Sequence, residues 1–123
     1  MSHKHVIYYV DAQGQNPVLK DMGSLSLWEQ QKILAYISLL EEKGEELRRP
    51  IADYVGDKLY ELRPQKHRVL YFFMLKNSAV IVHIFRKKTA KLPEREKDIA
   101  LKRMNDFLDR YQKNQIKIGG GVL

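Results

Sequence analysis

The first apolar run, His5-Val6-Ile7-Tyr8-Tyr9-Val10, is β-branched and aromatic and ends at Asp11, with Gly14 and Pro17 close behind, which predicts a strand. Asn16-Pro17 opens a short helical turn through Met22, and Gly23 stops it. Ser26-Leu27-Trp28-Glu29 has capping-box spacing. Beyond it Ile33, Ile37 and Leu40 recur at helical intervals, joined by Leu34 and Tyr36, until Gly44 supplies a C-terminal cap, so this stretch is a helix. Glu45 to Asp57, with Arg49-Pro50 and Gly56, has no clear period and reads as a loop.

Three strand-like runs follow: Lys58 to Arg63, closed by Pro64; Arg68 to Lys76; and Ala79 to Lys87, the last two separated by Asn77-Ser78. They predict an antiparallel meander. In the third run Val80, Val82 and Ile84 share one face, which reads as core. Ile81, His83, Phe85 and Lys87 share the other, whose polar interruptions make it the place to look for a site. Pro93 at the first helical position, followed by Glu94 and Glu96, starts a last helix with Ala100, Met104, Phe107, Leu108 and Tyr111 as its apolar stripe, running to about Gln112. Strand, one or two helices, three antiparallel strands and a helix make an α+β fold of sheet against helices.

A chain of 123 residues holds one core, so a single domain over 1–112 is expected, with 113–123 and its Gly119-Gly120-Gly121 as a flexible tail. The lack of cysteine excludes disulfides, thiolate zinc sites and cysteine nucleophiles, and fits a reducing cytoplasm. Val69 to Leu75, the longest apolar stretch, is far below the roughly 20 residues that span a bilayer, and the start of the chain has no signal-peptide pattern; a cytoplasmic protein without a membrane partner is expected.

Charge changes the picture once it is located. The formal net charge is +7, but Lys58 to Arg103 carries thirteen Lys/Arg against four acids, while the residues before Lys58 carry six bases and nine acids. The basic half is where a polyanion would bind, although such a surplus also suits a solvated face or an acidic protein partner.

Within that half, Arg63 and Arg68 flank a turn between neighbouring strands, and Glu61 shares a strand face with Arg63. A carboxylate beside two guanidinium groups suits attack by a ribose 2′-hydroxyl on a phosphodiester, with the arginines stabilising the charge of the transition state. The same residues equally describe a structural ion pair on a sheet. Arg86-Lys87-Lys88, continuing to Lys91, either holds a phosphate backbone or is a solvated connection. His67 and His83 are the histidines placed for acid–base chemistry, and Tyr60 and Tyr71 could stack on bases, though strand residues of both types are ordinarily structural. Asp53, Asp57 and Glu61 lack a ligand pattern, so neither a metal nor another cofactor is expected.

Residues Leu59 to Arg103 resemble the HigB-like branch of the RelE toxin superfamily, including its phage-derived members. The resemblance lies in Leu59-Tyr60-Glu61-Leu62-Arg63-Pro64, His67-Arg68-Val69-Leu70-Tyr71, His83-Ile84-Phe85-Arg86-Lys87-Lys88-Thr89 and Lys91-Leu92-Pro93-Glu94-Arg95-Glu96, in that order. It implies a microbial RNase fold and a type II toxin: a metal-independent mRNA endoribonuclease that inhibits translation on the ribosome, held by a helix-turn-helix, HigA-like antitoxin. On this resemblance Arg63 and Arg68 are catalytic, and Arg86, Lys87 and Lys88 bind RNA; Lys91, from the same basic run, and Tyr60, as a stacking group, are the further candidate RNA contacts. Tyr60-Glu61 stands where RelE has a lysine-rich strand, and the tyrosine after its basic segment is missing, which leaves the general base open between Glu61 and His83. The alternative is a non-catalytic module that binds RNA or an antitoxin on the same face.

Overall fold

The computed structural model describes residues 3–116. Along the chain lie β1 (His5–Tyr8), α1 (Pro17–Gly23), α2 (Leu27–Lys43), a 3-10 turn at Gly44–Glu46, β2 (Ala52–Gly56), β3 (Leu59–Leu62), β4 (His67–Met74), β5 (Ser78–Arg86) and α3 (Glu94–Gln112). The strands form one sheet in the order β1-β5-β4-β3-β2. Neighbours from β2 to β5 are antiparallel, but β1 runs parallel to β5, pairing His5 with Ser78 and Tyr8 with Ile81. The sheet is therefore mixed, and the all-antiparallel meander expected from the pattern is corrected at its first strand.

Local chemistry sets the helix ends. Asn16 Oδ1 accepts from Leu19 N–H at 3.0 Å, and Pro17 opens α1. Ser26 and Glu29 close a reciprocal capping box at 3.2 and 3.1 Å. Gly44, with φ 55°, ends α2, and a Cβ there would come within 2.8 Å of the Lys4 side chain. Pro93 is the N-cap of α3 rather than its first helical residue, and α3 packs Ala100, Met104 and Phe107 onto the sheet. No helix among the described residues is long and apolar enough to cross a membrane.

The expected loop at Glu45 to Asp57 contains a strand. β2 carries Asp53, Tyr54 and Gly56, a weak strand sequence, and is held as an edge by antiparallel pairing with β3 across a bulge between Tyr54 and Gly56. Pairing, not periodicity, makes it a strand.

Both faces of the sheet are covered. Leu59, Leu70, Phe72, Val80, Val82 and Phe85 pack on the α3 side. Leu62, Val69, Tyr71, Ala79, Ile81 and Ile84 pack on the side of α1 and α2, with Val18, Ile33, Ile37 and Leu40. The expected faces of β5 are corrected here. Tyr71 pairs with Ile81 and Leu70 with His83, so Val82 is an extra residue on β5. The bulge shifts the alternation by one: Ile84 falls with Ile81, and Phe85 falls with Val80 and Val82.

Candidate nucleic-acid site at the end of the sheet

The C-terminal ends of β3 and β5 and the N-terminal end of β4 meet at one end of the sheet. There Glu61 pairs in register with Leu70, and Arg68 with Phe85, which puts both side chains on the α3 face beyond the apolar core. Pro64 to Lys66 turn the chain, with His67 N–H donating to Pro64 O at 3.0 Å and Gln65 at φ 59°. Arg68 Nη1 staples this turn by donating to Gln65 O at 2.9 Å and His67 O at 2.7 Å. Arg63 is fixed by its own N–H donating to Ile51 O at 2.9 Å, so the chain entering β2 carries part of the site's frame.

Glu61 is 2 % exposed. Its Oε2 accepts from Arg63 Nη1, while Oε1 stands 3.9 Å from Arg68 Nε, too far for a hydrogen bond. These two facing atoms, Oε1 and Nε, are buried and have no hydrogen-bond partner among the described residues. A carboxylate so enclosed can hold two guanidinium groups in place but offers no open atom to a substrate. Burial first, and the Arg63 charge next, lower the Arg68 pKa from the ordinary arginine value, yet the group remains a cation at physiological pH.

Lys87 continues the ladder beyond β5, its N–H donating to Lys66 O at 2.7 Å. Partial burial lowers the Lys87 pKa; Glu61 opposes this, and Arg68, Arg63 and Arg49 reinforce it. Arg63, Arg68 and Lys87 thus gather around Glu61, with Arg49 near enough for its charge to act on Arg68 and Lys87. Arg49, which is also paired to Asp53 at 2.9 Å, lies in the stretch read as a loop and had no signal in the sequence.

The other expected site residues are elsewhere. His83 lies in the same row of the sheet as Glu61 with Leu70 between them, roughly 10 Å away across two strand spacings, and is buried under α3. Its Nε2 meets Glu96 Oε1 at 2.7 Å, and its Nδ1 faces Arg103 Nη1 at 3.4 Å, so the Nε2–H tautomer satisfies both partners. Burial lowers its pKa; the Glu96 hydrogen bond opposes that and Arg103 adds to it, which leaves His83 neutral at neutral pH. Arg86 is on the opposite face, 3.8 Å from Glu29. Lys88 and Lys91 lie beyond β5, and Lys91 lines a groove of about 840 Å³ with Val55 and Lys97. Tyr60 is also on the opposite face, within an aromatic cluster at 4.9 Å from Tyr54, 5.1 Å from Phe73 and 5.7 Å from Tyr71. No group of three or more His, Asp or Glu side chains among the described residues is arranged to hold a metal ion.

A family model described as phage derived protein Gp49-like (DUF891) matches residues 20–105. The chain belongs to this family. The Gp49-like proteins are a RelE/HigB-like toxin family, in agreement with the resemblance carried by Leu59 to Arg103. No curated protein matches the chain. Among solved structures, the Gp49-like chain is similar to one in the crystal structure of the archaeal RelE–RelB complex from Pyrococcus horikoshii OT3. The TM-score is 0.53 at 22% identity, covering 73% of this chain and 100% of that one. At that identity the likeness concerns the fold, a RelE-like arrangement of sheet and helices.

Proposed function

We propose that this Gp49-like chain is the toxin of a type II toxin–antitoxin pair and cuts messenger RNA on the ribosome without a metal. The observation that carries the reading is the cluster of Arg63, Arg68 and Lys87 around buried Glu61 at one end of the sheet. Two forked cations and an amine suit a scissile phosphate, whose non-bridging oxygens gain charge in the transition state. The ribose 2′ oxygen attacks the adjacent phosphorus, the bond from phosphorus to O5′ breaks, O5′ takes a proton from solvent, and the products are a 2′,3′-cyclic phosphate and a 5′-hydroxyl. Arg63 and Arg68 stabilise the phosphorane, and Glu61 positions them. Lys87, with its pKa lowered by partial burial, is the group best suited to take the 2′ proton, in preference to Glu61, both of whose oxygens are enclosed against Arg63 and Arg68, or His83, which is buried and engaged by Glu96. Lys88 and Lys91 extend the basic track for the RNA backbone. The similar archaeal chain was solved in a RelE–RelB complex, which supports a protein antitoxin as partner, here of the helix-turn-helix, HigA-like kind.

The second reading, a module that binds without chemistry, is favoured by the burial of both Glu61 and His83. Induced expression of wild type and Arg68→Ala, followed by primer extension on a reporter message with and without a translation block, tests both. Cuts inside the coding region that need Arg68 and translation are expected. A folded wild type that makes no cuts leaves the binding module.

A further inference from the structure

On the opposite face of the same sheet end is a cleft of about 330 Å³ lined by Trp28, Glu29, Lys32, Lys66, His67 and Arg86. Its size is at the small end of ligand pockets. Trp28 is 57 % exposed although it is the only tryptophan in the chain. Lys32 Nζ stands 5.5 Å from its ring centroid, which orients the indole while leaving most of the residue to solvent. Glu29 Oε1 is occupied by the Ser26 N–H, so the first turn of α2 is already capped. Among the described residues Glu29 Oε2 has no hydrogen-bond donor: it is 3.9 Å from His67 Nε2 and 3.8 Å from Arg86 Nη1, beyond hydrogen-bond reach of either. The cleft thus combines an open aromatic ring, a carboxylate oxygen free to accept N–H donors, and three cations around one acid.

We propose that this cleft is a nucleotide subsite for single-stranded RNA, in which a base stacks on Trp28 and offers an amino edge to Glu29 while its phosphates lie against Lys66 and Arg86. The inference deepens the RNA reading above and rests on it. Stacking on an aromatic ring beside basic side chains is how proteins hold unpaired nucleotides. The position fits the same ligand. Consecutive residues Arg86 and Lys87 serve the two faces, and the turn at Pro64 to Lys66 separates cleft from cluster while being stapled by Arg68. A strand passing over this end of the sheet meets Arg63, Arg68 and Lys87 on one side and Trp28 on the other. An acidic peptide would find the same cations, but its carboxylates bring neither a flat ring to stack on Trp28 nor an amino edge for Glu29 Oε2.

The sole tryptophan makes the test direct. Full-length protein is titrated with a short single-stranded 2′-O-methyl RNA, which cannot be cut, so binding is read whether or not the chain is a nuclease. Saturable quenching of Trp28 fluorescence is expected. In Lys66→Ala/Arg86→Ala, which keeps the fluorophore, the affinity should fall and the slope of log affinity against log salt should lessen by about 1.4, near 0.7 for each phosphate that is no longer neutralised. Trp28→Ala, followed by anisotropy of labelled RNA, should weaken binding on the order of 10-fold. Because Trp28 is exposed, its circular dichroism should match wild type. RNA that binds without quenching, or equal affinity of Trp28→Ala and wild type, overturns the subsite. Quenching by an acidic peptide but not by RNA overturns it in favour of a protein partner. Quenching without any cleavage in the primer-extension assay retains the subsite and removes only the nuclease.

Discussion

Replacing Glu61 separates an anchor from a base. The Glu61 side chain is 3% exposed, between Arg63 at 20% and Arg68 at 11%. Glu61→Ala leaves two guanidinium groups crowded together without their counter-charge, a change that costs about 3–5 kcal/mol when one partner of a buried pair is removed. Against a total stability of about 5–15 kcal/mol, that is a large fraction. For a chain of this size it lowers the melting temperature by about 4 °C per kcal/mol, so by about 12–20 °C. Glu61→Gln keeps the shape and one acceptor and loses mainly the charge on a hydrogen bond, about 1.5 kcal/mol or about 6 °C. As an anchor, Glu61→Gln should lose stability and show less than about 10-fold slower cleavage, because Arg63, Arg68 and Lys87 are all still present. As a general base it would lose about 100-fold or more. Thermal unfolding beside single-turnover cleavage on programmed ribosomes gives both numbers. Unchanged melting with cleavage reduced more than about 100-fold would refute the anchor.

Three other outcomes follow from the same geometry. With the Lys87 pKa lowered but still that of an amine, the cleavage rate of wild type should rise with pH up to that lowered value, and Lys87→Arg should flatten the limb and slow the reaction about 100-fold or more; a Lys87→Arg profile like wild type removes Lys87 as the proton acceptor. His83 and His67 both have folded pKa values lowered by burial from about 6.5, so the unfolded chain binds more protons below that pH. Stability should therefore be fully present above about pH 6.5 and fall as the pH drops from there towards the lowered values, with a shallower fall in His83→Gln, checked by melting between about pH 5 and 7.5. Burial, and after it the hydrogen bond that Tyr9 donates to Asp106 Oδ2 at 2.6 Å, push the Tyr9 phenol up to about 12; Tyr9→Phe should cost about 1.5–3 kcal/mol in urea unfolding, and no change would mean that water replaces the bond at no cost.

The sequence was most readable where local chemistry decides the structure. Asn16-Pro17, the Ser26 and Glu29 box and the stop at Gly44 locate α1 and α2 without reference to the rest of the chain. Glu61, Arg63 and Arg68 could be linked because they are close in sequence around one turn. What depends on partners was hidden. β2 exists through β3, and the direction of β1 is set by β5, which is remote in the chain. The bulge at Val82 closes the apolar run Ala79–Val82, which is buried on both faces, so no pattern marks where the faces exchange. His83 looked available because it interrupts that run, yet Glu96 and Arg103, from a helix whose docking the strand cannot announce, satisfy it. Trp28, singled out only as part of a capping sequence, gains its interest from Lys66 and Arg86, which arrive from the turn before β4 and the end of β5.

The parallel pair of β1 and β5 also sets the timing of assembly. During synthesis the strand His5–Tyr8 emerges first but its hydrogen-bonding partner is the last strand made, so β1 waits unpaired while the intervening chain is translated. Pairings this distant in sequence form late and slowly. The end of the sheet that gathers Arg63, Arg68 and Lys87 needs the same last strand. A nascent chain truncated before β5 consequently has neither a closed sheet nor a complete cationic cluster: Arg63 and Arg68 gain Lys87 as a neighbour only once the chain has been made past Arg86.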